Sequence, residues 1–140
     1  MKQTCTRRLQ FCAGHRVMGH ENKCSNLHGH NYVVFVTASA DQLDNLGRVI
    51  DFSVLKEKLG GWIDKCWDHG MIIYADDDDW IKLCEDMDTK LYALPINPTA
   101  ENMAQYLIEY VCPLLFKDNA IEVSKVVLWE TENCYAEATR

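Results

Sequence analysis

The chain has 140 residues, 48% of them hydrophobic, and carries a net charge of -7 at pH 7. That apolar content fills one ordinary core at this length, so a single domain over residues 1–140 is expected. The acidic balance excludes a sequence-independent grip on nucleic acid, which needs a basic stripe, and no apolar run nears the roughly 18 residues of a membrane span.

The N-terminal MKQTCTRRLQ lacks the apolar centre of an export signal, which predicts a cytoplasmic location with reduced thiols. Six of the seven cysteines (Cys5, Cys12, Cys66, Cys84, Cys112 and Cys134) are therefore expected as small buried hydrophobes. From Thr4 to His15 one parity reads Arg7, Leu9, Phe11, Ala13, His15, a strand whose inner face ends in a histidine. Arg16 to Leu27 follows neither period and is predicted as a loop. HNYVVFVTASA, from His30 to Ala40, is β-branched and aromatic and reads as the second strand of a hairpin-like pair.

After the turn DNLGR, Asp51 or Ser53 caps a helix reaching about Trp67, with Phe52, Leu55, Leu59, Trp62, Ile63, Cys66 and Trp67 as its buried stripe. Gly60-Gly61 costs that helix about 1 kcal/mol per glycine against alanine, which predicts close packing on a neighbour. His69 to Pro98 reads as irregular. Asp76 to Asp79 and Glu85-Asp86-Met87-Asp88 predict a solvated acidic surface with a short helix around Trp80 to Glu85, since the alternating ligands and glycine of a calcium loop are missing. A second helix starts at NPTAEN with Thr99 as N-cap; Met103, Tyr106, Leu107, Tyr110, Val111 and Leu114 face inward, and Pro113 ends or kinks it. EVSKVVLWE from Glu122 to Glu130, and Tyr135 to Ala138, close the chain as a strand pair.

Strand, strand, helix, helix, strand, strand predicts an α+β domain: a four-stranded antiparallel sheet with both helices on one face. Four of the five histidines fall between His15 and His30. His28 and His30 point to one side of their strand, and His15 ends the partner strand on its inward parity. Three converging imidazoles make a zinc site whose fourth position stays open to water or substrate, the catalytic type. His20, in a loop with no parity to fix it, is the spare. Cys24 is either a fourth ligand closing a structural site or an acid/base thiol beside the metal, and the local pattern leaves both open.

The motifs F-C-A-G-H, C-S-N-L-H-G-H-N-Y, W-D-H, N-P-T-A-E-N and W-E-T-E-N resemble, in order and over nearly the whole chain, the 6-pyruvoyl-tetrahydropterin synthase family. The three residues between Cys24 and His28 are those of its 6-carboxy-tetrahydropterin synthase branch; the 6-pyruvoyl enzymes of animals typically have five. The resemblance implies the tunnelling fold and a homo-oligomer, a dimer of trimers with sites between subunits. It implies zinc on His15, His28 and His30, proton transfer by Cys24 with Asp68 and His69, and a pterin anchor at Glu130. Thr99 caps its helix and is a further candidate for contact with the ring. Arg16 and Lys23 are candidates for the triphosphate, by proximity in sequence.

The implied reaction converts 7,8-dihydroneopterin triphosphate to 6-carboxy-tetrahydropterin with loss of acetaldehyde and triphosphate, toward queuosine. The alternatives are 6-pyruvoyl-tetrahydropterin synthesis and a zinc-stabilised pterin-binding oligomer without turnover. One departure stands out: Gly70 follows Trp67-Asp68-His69, where the family often has a polar or aromatic residue.

Overall fold

A computed structural model describes all 140 residues. Six strands, β1 (Gln3–His15), β2 (His28–Ala40), β3 (Gly70–Tyr74), β4 (Leu91–Leu94), β5 (Glu122–Thr131) and β6 (Cys134–Thr139), form one mixed sheet in the order β4-β3-β1-β2-β5-β6. The four expected strands are its antiparallel part, with β1 and β2 paired from Gln3 opposite Ala40 to His15 opposite His28. The sheet is not four-stranded, however. β3 and β4 add to the β1 edge in parallel, within the region read as irregular. Short strands in a parallel arrangement read as plain apolar runs, here GMIIY and LYAL, and carry no period of two.

Three helices accompany the sheet. α1 (residues 52–66) is capped by Asp51, whose carboxylate accepts the Ser53 N–H. Leu55, Leu59 and Ile63 are fully buried, each worth about 1.5–3 kcal/mol. The close packing expected of Gly60-Gly61 is not found: a Cβ at Gly60 would lie at ordinary contact distance, 3.5 Å, from the Leu9 side chain, and one at Gly61 would meet nothing within 4 Å. α2 (Asp78–Asp86) matches the short helix expected in the acidic region. Asp77, just before it, is buried rather than solvated.

α3 (residues 100–115) begins at Thr99, whose hydroxyl accepts the Asn102 N–H, and packs on β5 and β6. Both long helices contain a wide turn with i→i+5 bonding, at Lys56–Gly60 and Leu107–Val111. The second inserts one extra residue before Pro113 and moves the buried stripe. Ile108 and Cys112 turn inward, whereas Tyr110 and Leu114, expected inside, are 57% and 71% exposed. Phe52 is also exposed, at the first turn of α1. Among the cysteines, Cys84 and Cys112 are buried and Cys5 and Cys66 partly so, but Cys12 and Cys134 are exposed. Cys12 falls on the outward parity of β1, and Cys134 follows the turn into β6. No helix is long and apolar enough to cross a membrane.

Candidate active site

The strand register builds the site. His15 lies opposite His28 and Ala13 opposite His30, on the face that also carries Leu9, Phe11 and Tyr32. The three imidazoles close on one another, with ring centroids 4.6 to 5.0 Å apart and a ligand nitrogen from each within 4.8 Å of the others. Nε2 of His15 and Nε2 of His28 are 3.1 Å apart. Two nitrogens bound tetrahedrally to one zinc, at about 2.0–2.1 Å each, lie about 3.4 Å apart, so the spacing of the His15–His28 pair fits that ion.

Outer hydrogen bonds set the tautomers. Nδ1–H of His15 donates to the Pro98 carbonyl at 2.7 Å, and Nδ1–H of His28 donates to the Asn26 carbonyl at 2.6 Å, which leaves each Nε2 lone pair directed inward. Nε2 of His30 is buried without a hydrogen-bond partner. The Glu130 carboxylate stands 3.3 Å away but outside hydrogen-bond geometry. A buried polar nitrogen left so costs about 1–3 kcal/mol, and a cation would satisfy it.

Burial pushes the His15 pKa down to about 4, with His28 and His30 adding to the fall and the Pro98 carbonyl opposing it. Burial also lowers His30, against the pull of Glu130. The neutral imidazole favoured at pH 7 is the form that binds metal. In metal-free protein the same shift is a stability cost in acid. The folded pKa of His15 lies below its ordinary 6.5, so on acidification the unfolded chain takes up the proton first. Stability present at pH 7 is then lost between about pH 6.5 and about pH 4, by about 3 kcal/mol from His15 alone. Urea titrations of chelator-treated protein across that window check it, and a flat profile contradicts it.

The loop between His15 and His28 is tied down at several points. Val17 N–H donates to the Cys24 carbonyl at 2.8 Å. The Asn97 amide takes the Met18 N–H at 3.0 Å and gives a hydrogen bond to the Met18 carbonyl at 2.8 Å. Thus Asn97-Pro98-Thr99 holds the histidine loop, the His15 tautomer and the start of α3 with three successive residues. Sequence reading gave the cap and a family motif here but not the ties to Met18 and His15, because those partners are remote in the chain.

Arg16, a candidate for the triphosphate, is engaged within the chain. Its guanidinium is paired with both oxygens of Asp77, at 2.6 and 3.2 Å, and donates to the Ser25 carbonyl at 3.2 Å. It therefore ties the Cys24 loop to the start of α2. Asp77 is 3% exposed. Arg16→Ala leaves that carboxylate unpaired and is expected to lower unfolding free energy by about 3 kcal/mol, read by urea denaturation. Arg16→Met with Asp77→Leu recovers most of it. Lys23 is exposed and in no ion pair.

Cys24 sits half-buried in a short turn (Lys23–Ser25) and is not part of the imidazole group. His20 is also outside it, its Nδ1 accepting the Asn22 N–H. Asp68 and His69 are paired as expected: Nδ1–H of His69 donates to Oδ2 of Asp68 at 2.8 Å. The turn that lets these neighbours meet is at His69 itself, with φ of 58°. Oδ1 of Asp68 accepts the Cys12 N–H at 2.9 Å. Burial pushes the Asp68 carboxyl up, but the Cys12 amide, His69 and the Lys90 charge outweigh it and hold the carboxyl below its usual range. His69 lines a shallow groove with Cys12, Gly14, His30, Asn31 and Met71.

Glu130 lies at the end of β5 beside the cage, in a cleft of about 570 Å³ shared with His30, Asn31, Val33, Phe35 and Trp129. The cleft is apolar along the strands and acidic at its end. Thr99 spends its hydroxyl on the helix cap, 3.1 Å from the Asn102 nitrogen.

Comparison with known proteins agrees with this geometry. The family model described as 6-pyruvoyl tetrahydropterin synthase matches residues 4–140. A Rickettsia typhi protein named 6-carboxy-5,6,7,8-tetrahydropterin synthase is 46% identical over 134 residues, 95% of this chain and 97% of its own. An Aquifex aeolicus protein of the same name is 33% identical and covers 98% of each chain. The solved structure of Plasmodium falciparum 6-pyruvoyl tetrahydropterin synthase superposes with a TM-score of 0.72 at 26% identity, over 99% of this chain and 98% of that one. An uncharacterised protein from Wolinella succinogenes reaches 0.85 at 23% identity, covering 100% and 99%, a likeness of fold. The match along almost the entire chain, with the histidine cage at the ends of the same two strands that carry its motifs, makes this chain a member of the 6-pyruvoyl tetrahydropterin synthase family.

Proposed function

We propose that the chain is a zinc-dependent 6-carboxy-5,6,7,8-tetrahydropterin synthase, consuming 7,8-dihydroneopterin triphosphate and water and releasing acetaldehyde and triphosphate. The observation that carries it is the cage: three imidazoles closing on one point, with a carboxylate and an open cleft beside them. Zinc held by His15, His28 and His30 would supply a Lewis acid that eases removal of a proton from the substrate's side-chain diol. Glu130 accepts a fork of hydrogen bonds from the pterin N–H and its exocyclic amine, which sets the side chain toward the cage. Cys24 takes and returns a proton, and His69, supported by Asp68, serves as its acid/base counterpart. In a dimer of trimers with sites between subunits, Asp68 and His69 would come to the cage from a neighbouring copy. Lys23 is the loop cation left for the triphosphate.

The product formed belongs to deazapurine synthesis of the queuosine type, in the cytoplasm. Purified zinc-loaded protein incubated with dihydroneopterin triphosphate tests the reading by mass spectrometry. The 6-carboxy product with acetaldehyde is the expected result. The 6-pyruvoyl product alone moves the chain to the sister activity, and pterin binding without any product overturns catalysis.

A further inference from the structure

Lys90 reaches from the segment before β4 to the end of α1. Its Nζ donates to the Asp64 carbonyl at 2.8 Å and also to the Asp68 carbonyl. The second acceptor is the oxygen of the peptide that joins Asp68 to His69. That peptide is the constrained one, because His69 adopts a positive φ of 58°, a conformation rare for a residue with a side chain. The Lys90 backbone is itself fixed, its carbonyl accepting the Met71 N–H at 2.9 Å beside the β3–β4 pairing.

Gly70 explains how the lysine gets there. A Cβ at residue 70 would meet Lys90 Cγ at 3.1 Å and Cδ at 3.3 Å. The glycine that departs from the family pattern after Asp68-His69 therefore opens the path for the Lys90 stem. Its ammonium then gathers carbonyls at the C-terminal end of α1, where a cation is favoured. The same charge helps hold Asp68 ionised, the form that accepts the His69 N–H.

We infer that Lys90 is a positioning residue for the Asp68–His69 pair: it holds the peptide between them in the turned conformation that lets the two side chains meet. This rests on the reading of that pair as the proton-transfer dyad. Lys90 touches no reacting atom in this role. It acts through the 68–69 peptide, and Gly70 is the space it requires.

The test uses zinc-loaded protein labelled with ¹⁵N at histidine, with Lys90→Met and Lys90→Arg as variants. In Lys90→Met the hydrogen-bonded Nδ1–H resonance of His69 is expected to be lost, and kcat to fall about tenfold with KM within twofold. Lys90→Arg, which can still donate to both carbonyls, restores the resonance and most of kcat. A Lys90→Met protein that melts earlier yet keeps the resonance and kcat shows a helix cap only, and overturns the inference. His69→Gln separates the two readings. If it turns over like the unmodified protein, the dyad is not catalytic, while the resonance still decides whether Lys90 positions it.

Discussion

Alanine in place of His28 empties the cage. Dialysed His28→Ala protein is expected to carry almost no zinc by elemental analysis, and kcat/KM to fall at least about 10³-fold, the equivalent of about 4 kcal/mol of Lewis-acid stabilisation. His28 is the better choice for this test, because His15 is 1% exposed and its truncation would also open a cavity beside Tyr32. Loss of one imidazole leaves two nitrogens, too few to hold the ion against dialysis while the fourth position belongs to substrate. His28 also donates to the Asn26 carbonyl, so some movement of the loop end accompanies the change. Full zinc and undiminished turnover in this variant would remove the metal from the mechanism.

Cys24→Ala should do the opposite to the metal and much the same to the rate. The thiol is half-buried and outside the imidazole group, so its removal spares the cage. Turnover is expected to drop about 10²- to 10⁴-fold, the usual worth of one positioned proton carrier, with zinc content unchanged. Zinc analysis and steady-state kinetics on one preparation measure both. If zinc leaves with the thiol and the oligomer falls apart, Cys24 is a structural ligand, and the protein is a pterin-binding assembly without turnover. The tie from Val17 to the Cys24 carbonyl and the Arg16 bond to Ser25 involve main-chain oxygens, so alanine keeps the loop in place. That separates loss of a proton carrier from loss of a fold.

The two tests bear on different halves of the proposed chemistry. His28 addresses what polarises the substrate, and Cys24 what moves its protons. The strand pair supplies a rigid base for the first, while the second rides on a loop held by side chains of distant elements. Precision on that loop comes from Asn97 and from the Arg16–Asp77 pair. Damage there should therefore appear in kcat before it appears in zinc content.

Local pattern was enough wherever the chemistry is set by neighbours along the chain. Alternation in β1 and β2 put His15, His28 and His30 on one face, since successive strand side chains must alternate. The cap at Thr99, the choice of Asp51 or Ser53 for the other cap, and the closing strand pair were legible for the same reason. The Asp68–His69 contact was legible only as a motif, because which residue turns depends on a positive φ that no propensity marks.

Only the tertiary structure decided the rest. β3 and β4 are too short and too evenly apolar to announce themselves, and their parallel pairing with β1 is a long-range choice. A wide turn in α3 moved Tyr110 and Leu114 outward, since one extra residue rotates all that follows. Asp77 went from an acidic run into a buried pair with Arg16, because a charge's role depends on what folds against it. Periodicity along the chain determined which side chains share a face; the packing of remote segments determined which of them are free to act.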